Sequence, residues 1–237
     1  MDLFTCSLAK LVSNTVFPGV ETPIGNIRFD AWLGNKHITE EPAQSTYCLP
    51  NDSWVLHWRS TAYTAELLLS PILYWQRFSR QRDRTDTVPW WILDDVRAGL
   101  WRVQASMPMR SSEFVSRWEA GYRWQTGGIN SGQGLAAQQW DDIRTLVALG
   151  TQDDQWLALA ATEKSLLPTR WLTTPNSLGT VEYLDDGLRV QLPNLQAGEH
   201  CQLQFAVAWG PYGMDNDGPW FAVDSTPEMI LMSAECV

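Results

Sequence analysis

Apolar and polar residues alternate along many short stretches of this 237-residue chain. The clearest alternation runs over residues 202–209, where every second side chain is large and apolar: Leu203, Phe205, Val207 and Trp209. Successive side chains of a β-strand point to opposite faces, so a period of two indicates a strand with one buried face. We therefore predict a half-buried strand over residues 202–209.

Turn residues between apolar stretches predict two hairpins upstream of this strand. Residues 180–184 and 188–192 flank Asp185-Asp186-Gly187. Residues 145–149 and 156–161 flank Gln152-Asp153-Asp154. Both arms of this second hairpin are apolar on both faces, which is typical of central strands.

The first half of the chain shows the same pattern with more interruptions. Within residues 24–33, one face carries Ile27, Phe29 and Ala31, and the other carries Arg28, Asp30 and Trp32. Further strands are predicted over residues 54–59, 100–106 and 114–125. Residues 61–78 are the best helix candidate, although Pro71 would interrupt a helix. Residues 36–50 are predicted to be a polar connection.

Many short strands separated by Gly, Asn, Asp and Pro turns predict a fold class that is mainly β. The expected architecture is an antiparallel β-sandwich, or a distorted barrel, with at most one or two short helices. All-β domains commonly reach this length, so we predict a single domain over residues 1–237. The Gly-rich loop at residues 126–134 is the candidate sub-boundary.

Composition and charge narrow the function classes. The formal net charge of −10 argues against nucleic-acid binding, which requires a basic surface. Residues 77–123 nevertheless hold nine arginines against six acidic residues, a local charge of +3. No run approaches the roughly 20 apolar residues of a membrane-spanning helix, so we expect no membrane partner.

The four cysteines are far apart and form no CxxC pair, which argues against a zinc site: Cys6, Cys48, Cys201 and Cys236. The N-terminus shows no secretion signal. We therefore expect reduced thiols and a cytoplasmic location.

No sequence motif identifies a catalytic activity. The sequence contains no GxSxG motif of a nucleophilic serine, and only three histidines are present. Adjacent Asp pairs point to opposite faces of a strand and make poor glycosidase sites. Residues 213–218 partly resemble a calcium loop with Asp224 at its last position, but the first ligand is missing, so a polar turn is the preferred interpretation. We predict no catalytic residue, no metal site and no cofactor.

The fourteen tryptophans carry the sharpest functional signal. Five of them fall on alternating patterns and are predicted to be core residues: Trp58, Trp118, Trp124, Trp156 and Trp209. Trp90 and Trp91 are adjacent, so in an extended segment they cannot both face the core. Two groups are the candidate ligand-binding residues: Trp75, Arg77, Trp90 and Trp91, and Tyr212, Asp215, Asp217 and Trp220.

Exposed aromatic rings beside carboxylates suit a carbohydrate, whereas rings beside arginines suit a peptide or a protein surface. The first hypothesis is therefore a soluble, non-catalytic binding protein with carbohydrate as its default ligand. The second is an accessory protein that binds a peptide or a partner subunit, in a homo- or hetero-dimer, through its Arg- and Trp-rich span 75–124. The third is a β-sandwich enzyme with a dispersed active site. A structural alternative is that these tryptophans only cap the open ends of the sandwich.

Overall fold

A computed structural model describes residues 4, 6, 9–13, 15–75, 92–163, 167–168, 180–213 and 216–236. Two antiparallel sheets pack against each other, which confirms the predicted β-sandwich. The strands in chain order are β1 (Lys10–Val12), β2 (Gly19–Thr22), β3 (Gly25–Leu33), β4 (Lys36–His37), β5 (Ser45–Leu49), β6 (Ser53–Arg59), β7 (Tyr63–Pro71), β8 (Asp95–Ala105), β9 (Glu113–Trp118), β10 (Thr126–Ile129), β11 (Leu135–Asp141), β12 (Thr145–Gln152), β13 (Val181–Leu184), β14 (Gly187–Gln191) and β15 (His200–Pro211). The α-helices are α1 (Asp154–Glu163), α2 (Gly218–Val223) and α3 (Pro227–Ser233).

The larger sheet has nine strands in the order β1-β5-β6-β7-β8-β15-β12-β11-β10. The smaller sheet has the order β13-β14-β9-β3-β2, and β4 pairs with β3. The main core lies between the sheets and is built from aromatic rings. Trp101 stacks on Phe114 at a centroid distance of 5.6 Å, and Phe29 stacks on Phe205 at 6.1 Å. Such pairs add to the free energy that burial of the rings alone supplies.

A second core covers the outer face of the larger sheet. Helices α2 and α3 pack there together with Phe4 near the N-terminus and Cys236 near the C-terminus. Strand β15 is consequently buried along both faces. The prediction of a half-buried strand was correct in position but wrong in burial, because these helices shield its Gln and Ala face.

Three predicted elements were wrong. The helix predicted over residues 61–78 is wrong, since Tyr63–Pro71 is the strand β7. Residues 76–78 lie outside the described part. Residues 156–161 are not a strand but belong to helix α1. The segment at residues 36–50 is more than a connection, because it contains β4 and β5.

Other predicted elements are confirmed in whole or in part. The hairpin around Asp185-Asp186-Gly187 is the pair β13–β14. The strand predicted over residues 114–125 ends at Trp118. The segment at residues 126–134 was predicted to be a Gly-rich loop, but its first part, Thr126–Ile129, is the edge strand β10. The sub-boundary there stays a prediction.

The cysteines depart from the expectation of reduced thiols. Cys6 and Cys236 form a disulfide across a sequence separation of 230 residues. Cys48 and Cys201 carry free thiols. Among the described residues, no helix combines the length and the apolar character needed to cross a membrane.

Candidate functional site

The predicted ligand-binding residues lie in different surroundings. The half-buried Trp75 donates its indole N–H to Ser225 Oγ at 3.1 Å, and Trp220 in α2 donates to the carbonyl oxygen of Asn130 at 2.6 Å. Both indoles pack against the outer core of the larger sheet. Tyr212 and Asp217 are exposed. The remaining four predicted residues lie outside the described residues: Arg77, Trp90, Trp91 and Asp215.

Hydrogen bonds from Asn216 hold the segment that resembles a calcium loop. Its side-chain amide donates to the carbonyl oxygens of Ile92 (3.1 Å) and Pro211 (2.9 Å), and its Oδ1 accepts from the Ile92 N–H (3.0 Å). Asp217 and Asp224 lie at opposite ends of the short helix α2. In the described parts of the chain, no group of three His, Cys, Asp or Glu residues could hold a metal ion. Asn216 therefore ties this segment to Ile92 and Pro211. Asp215 lies outside the described residues, so the absence of a metal site stays a prediction.

A cleft of about 520 Å³ opens at one end of the sandwich. Strand β2 of the smaller sheet forms one wall, and strands β6, β7, β8 and β15 of the larger sheet form the other. We call it the aromatic cleft, because aromatic rings on both sides line it: Phe17, Trp54 and Trp209.

Strand periodicity places the two indoles in the aromatic cleft. Trp54 shares the inner face of β6 with the core residues Leu56 and Trp58, and Trp209 ends the inner face of β15. Trp54 is the second residue of its strand, where β2 leaves the inner face partly uncovered, and it is half-buried. Trp209 remains 8% exposed. The sequence pattern identified this face, but it did not single out Trp54 as a site residue.

A charged triad lines the aromatic cleft beside the indoles. Arg97 Nε lies 3.0 Å from Asp95 Oδ2, and Arg97 Nη1 lies 3.2 Å from Asp52 Oδ2. Burial lowers the pKa of Arg97, but hydrogen bonds and charge from Asp95 and then Asp52 raise it above its usual value overall. Asp95 lies opposite Trp209 in the β8–β15 pairing, which joins the triad to the aromatic surface. The triad thus places polar groups next to apolar rings, with Asp95 mostly buried and Asp52 exposed.

A second polar group surrounds Asp30 on the outer face of the smaller sheet. Thr39 Oγ1 lies 2.9 Å from His37 Nε2, and His37 Nδ1 lies 3.0 Å from Glu40 Oε1. This resembles the spacing of a hydroxyl–imidazole–carboxylate triad. However, the Thr39 hydroxyl donates to Asp30 Oδ1 at 2.6 Å, so its proton is directed away from the imidazole. Thr39 is also buried. The arrangement fixes a carboxylate instead of activating a nucleophile.

The other two histidines lie elsewhere. His57 is buried on the outer face of the larger sheet, with Nε2 3.9 Å from Glu66 Oε1, and His200 is exposed at the start of β15. None of the three histidines lines the aromatic cleft. General acid–base chemistry by histidine therefore has no support at the cleft.

The chain matches no protein-family model, and no curated protein matches it at a significant level.

Proposed function

We propose that this protein is a non-catalytic binding protein that holds a neutral carbohydrate in the aromatic cleft. The observation that carries the proposal is the pairing of Trp54 and Trp209 with the triad of Arg97, Asp95 and Asp52 in one cleft. A sugar ring has an apolar C–H face and a rim of hydroxyl groups. An indole suits the first, and fixed hydrogen-bonding groups suit the second.

The dimensions and charge of the cleft support this ligand class. Its volume of about 520 Å³ lies within the roughly 300–1,000 Å³ of small-molecule sites. Two carboxylates and one guanidinium give the triad a formal charge of −1, and Glu21, which also lines the cleft, adds a second negative charge. This charge disfavours an acidic sugar, and both carboxylates already engage Arg97. A neutral sugar can donate hydroxyl protons to the remaining carboxylate lone pairs without leaving a charge unpaired.

The same triad disfavours the enzyme hypothesis. A glycosidase requires a carboxylic acid that donates a proton and a second carboxylate that acts as base or nucleophile. Asp95 and Asp52 are instead both ion-paired to one arginine. This arrangement suits hydrogen-bond acceptance and supports a binding role.

Isothermal titration calorimetry with a panel of neutral oligosaccharides tests the proposal. We expect at least one ligand to bind, Trp54→Ala to abolish measurable binding, and Trp54→Phe to retain part of it. Trp156→Ala is the matched control, because Trp156 is 47% exposed in α1 and lies outside the aromatic cleft. A blank panel, or equal losses in Trp54→Ala and Trp156→Ala, would overturn the assignment.

A further inference from the structure

We propose that a second site, centred on Asp30, binds a small aliphatic polyamine. This site lies on the outer surface of the smaller sheet and is independent of the aromatic cleft. We call it the acidic pocket, a cavity of about 680 Å³ whose charged lining residues are Arg28, Asp30, Glu40, Arg117, Glu119 and Asp186.

Asp30 is the observation that points to a ligand. Its side chain is only 1% exposed. Oδ1 accepts from Arg28 Nε at 2.7 Å and from Thr39 Oγ1 at 2.6 Å, and it lies 3.0 Å from His37 Nε2. Oδ2 is buried and accepts no hydrogen bond from any described residue. Arg117 Nε lies 3.8 Å from Oδ2, beyond hydrogen-bond distance. A buried carboxylate oxygen without a donor is costly, so a ligand that supplies an N–H would be favoured.

The balance of charge selects a cation. Arg28 already donates to Asp30, to the carbonyl oxygen of Thr39 and to Glu119 Oε1. The lining therefore sets four carboxylates against two guanidiniums, a formal charge of −2. An anionic ligand would face net repulsion, whereas an ammonium group would gain charge-assisted hydrogen bonds.

The spacing of the carboxylates selects an organic cation over a metal ion. Asp30 lies on β3, Glu119 follows β9, and Asp186 lies in the turn between β13 and β14. Within the described ranges, these groups do not come close enough together to form a metal site. A flexible chain with two or more ammonium groups can reach several of them at once. An aliphatic polyamine is the simplest ligand of that kind.

Arg117 occupies the position that an ammonium group would take. Its guanidinium lies over the ring of Trp32 at 5.9 Å, and 45% of its side chain is exposed. It forms an ion pair with Asp30 Oδ2 at 3.8 Å but donates no hydrogen bond to it. An incoming ammonium group can therefore replace Arg117 beside Oδ2 while Arg117 moves towards solvent.

Calorimetric titration with spermidine and with 1,4-diaminobutane, at about 0.01 M and about 0.15 M ionic strength, tests this site. Asp186→Asn should weaken binding by about tenfold, because it removes one charge-assisted contact. Asp185→Asn is the matched control, since Asp185 is the neighbouring residue of the same turn but does not line the pocket. It should change the affinity by less than about twofold. Equal losses of affinity in the two variants would indicate non-specific attraction of spermidine to an acidic protein. That result would overturn the proposal.

A variant that removes a positive charge instead of a negative one tests whether the pocket binds a cation or is only a structural cluster of charges. Arg117→Gln should tighten spermidine binding by about threefold or more, because it removes a competing cation beside Asp30. Arg123→Gln, an exposed arginine outside the pocket, should leave the affinity unchanged. Asp30→Asn should abolish binding in protein whose circular dichroism is unchanged. Should that variant unfold, the Asp186 and Arg117 variants decide the question.

Two further outcomes would overturn the assignment. The first is the absence of spermidine binding at low ionic strength. The second is tighter binding of a lysine-containing tetrapeptide than of spermidine, which would identify the ligand as a peptide. Trp54→Ala should leave spermidine affinity unchanged, so the result does not depend on the carbohydrate proposal.

Discussion

Gly99 lies in β8 against the ring of Phe29 in the inter-sheet core. A Cβ at this position would lie 2.6 Å from Phe29 Cε2 and 3.1 Å from Leu67 Cδ1, which is too close for a carbon atom. Phe29 also stacks on Phe205, so its ring is confined. We expect Gly99→Ala to lower the free energy of unfolding by about 1–3 kcal/mol through overpacking. Urea denaturation measures this loss.

Gly128 provides the control for this prediction at the same residue scale. It lies in the edge strand β10, and a Cβ there would meet no atom within 4 Å. Gly128→Ala should change the free energy of unfolding by less than about 0.5 kcal/mol. Comparable losses in the two variants would show that crowding at Phe29 is not the cause.

The sequence predicts which face a residue occupies better than how deeply it is buried. Of the five tryptophans predicted to be core residues, Trp58, Trp118 and Trp209 are buried and Trp124 is partly buried against the core. The prediction was wrong for Trp156, which is 47% exposed because it lies in helix α1 and not in a strand.

Alternation could not show that Trp54 is half-exposed, since that depends on where the other sheet stops covering β6. It also placed Asp30 on the outer face of β3 correctly. The burial of Asp30 accompanies contacts with His37 in β4, with Thr39 and with Arg117 in β9, which the pattern of β3 alone does not show.

At the scale of elements, a strand and a helix were assigned the wrong type, each for its own physical reason. Strand β7 is buried on both faces, so its run of Ala, Leu and Glu shows no period of two and resembles a helix. Helix α1 buries Leu157, Ala160 and Ala161 at helical spacing, but Trp156 and Leu159 are apolar and exposed, so the sequence does not show that period. Burial on both sides removes the signal that a sequence offers, whereas half-exposed hairpins such as β13–β14 keep it.

Asp153 marks the start of α1 and allows a test of this element. Its Oδ1 accepts from the backbone N–H groups of Gln155 and Trp156, each at 3.0 Å. These are the bonds of an N-cap residue, which satisfy donors that the helix leaves free. We expect Asp153→Ala to lower the free energy of unfolding by about 1 kcal/mol and Asp153→Asn, which retains an N-cap oxygen, to cost less. Thermal or urea unfolding would contradict this if the two substitutions had the same effect.

At the scale of the whole molecule, the two chain termini close the outer core together. The backbone N–H of Phe4 donates to Glu66 Oε2 at 2.8 Å, and the Arg102 guanidinium lies 4.4 Å from the Phe4 ring centroid. Glu66 and Arg102 face each other in the β7–β8 pairing, and burial lowers the pKa of Arg102 while Glu66 opposes that shift. The Cys6–Cys236 disulfide holds the N-terminal segment over these charges. Such bonds are rare in the cytosol, so the disulfide argues against the cytoplasmic location, which stays a prediction.

The disulfide can be tested by counting the thiols that react and by measuring stability with and without reductant. Without reductant, a thiol reagent should label Cys48 in the native protein and Cys201 only after unfolding, because burial raises the pKa of Cys201 to about 12. Reduction should lower the free energy of unfolding by about 2–5 kcal/mol, since the bond closes a loop of nearly the whole chain. The double variant Cys6→Ser with Cys236→Ser should show that lower stability with or without dithiothreitol. Labelling of four thiols in unreduced, unfolded protein would contradict the disulfide, and the stability should then not respond to reductant.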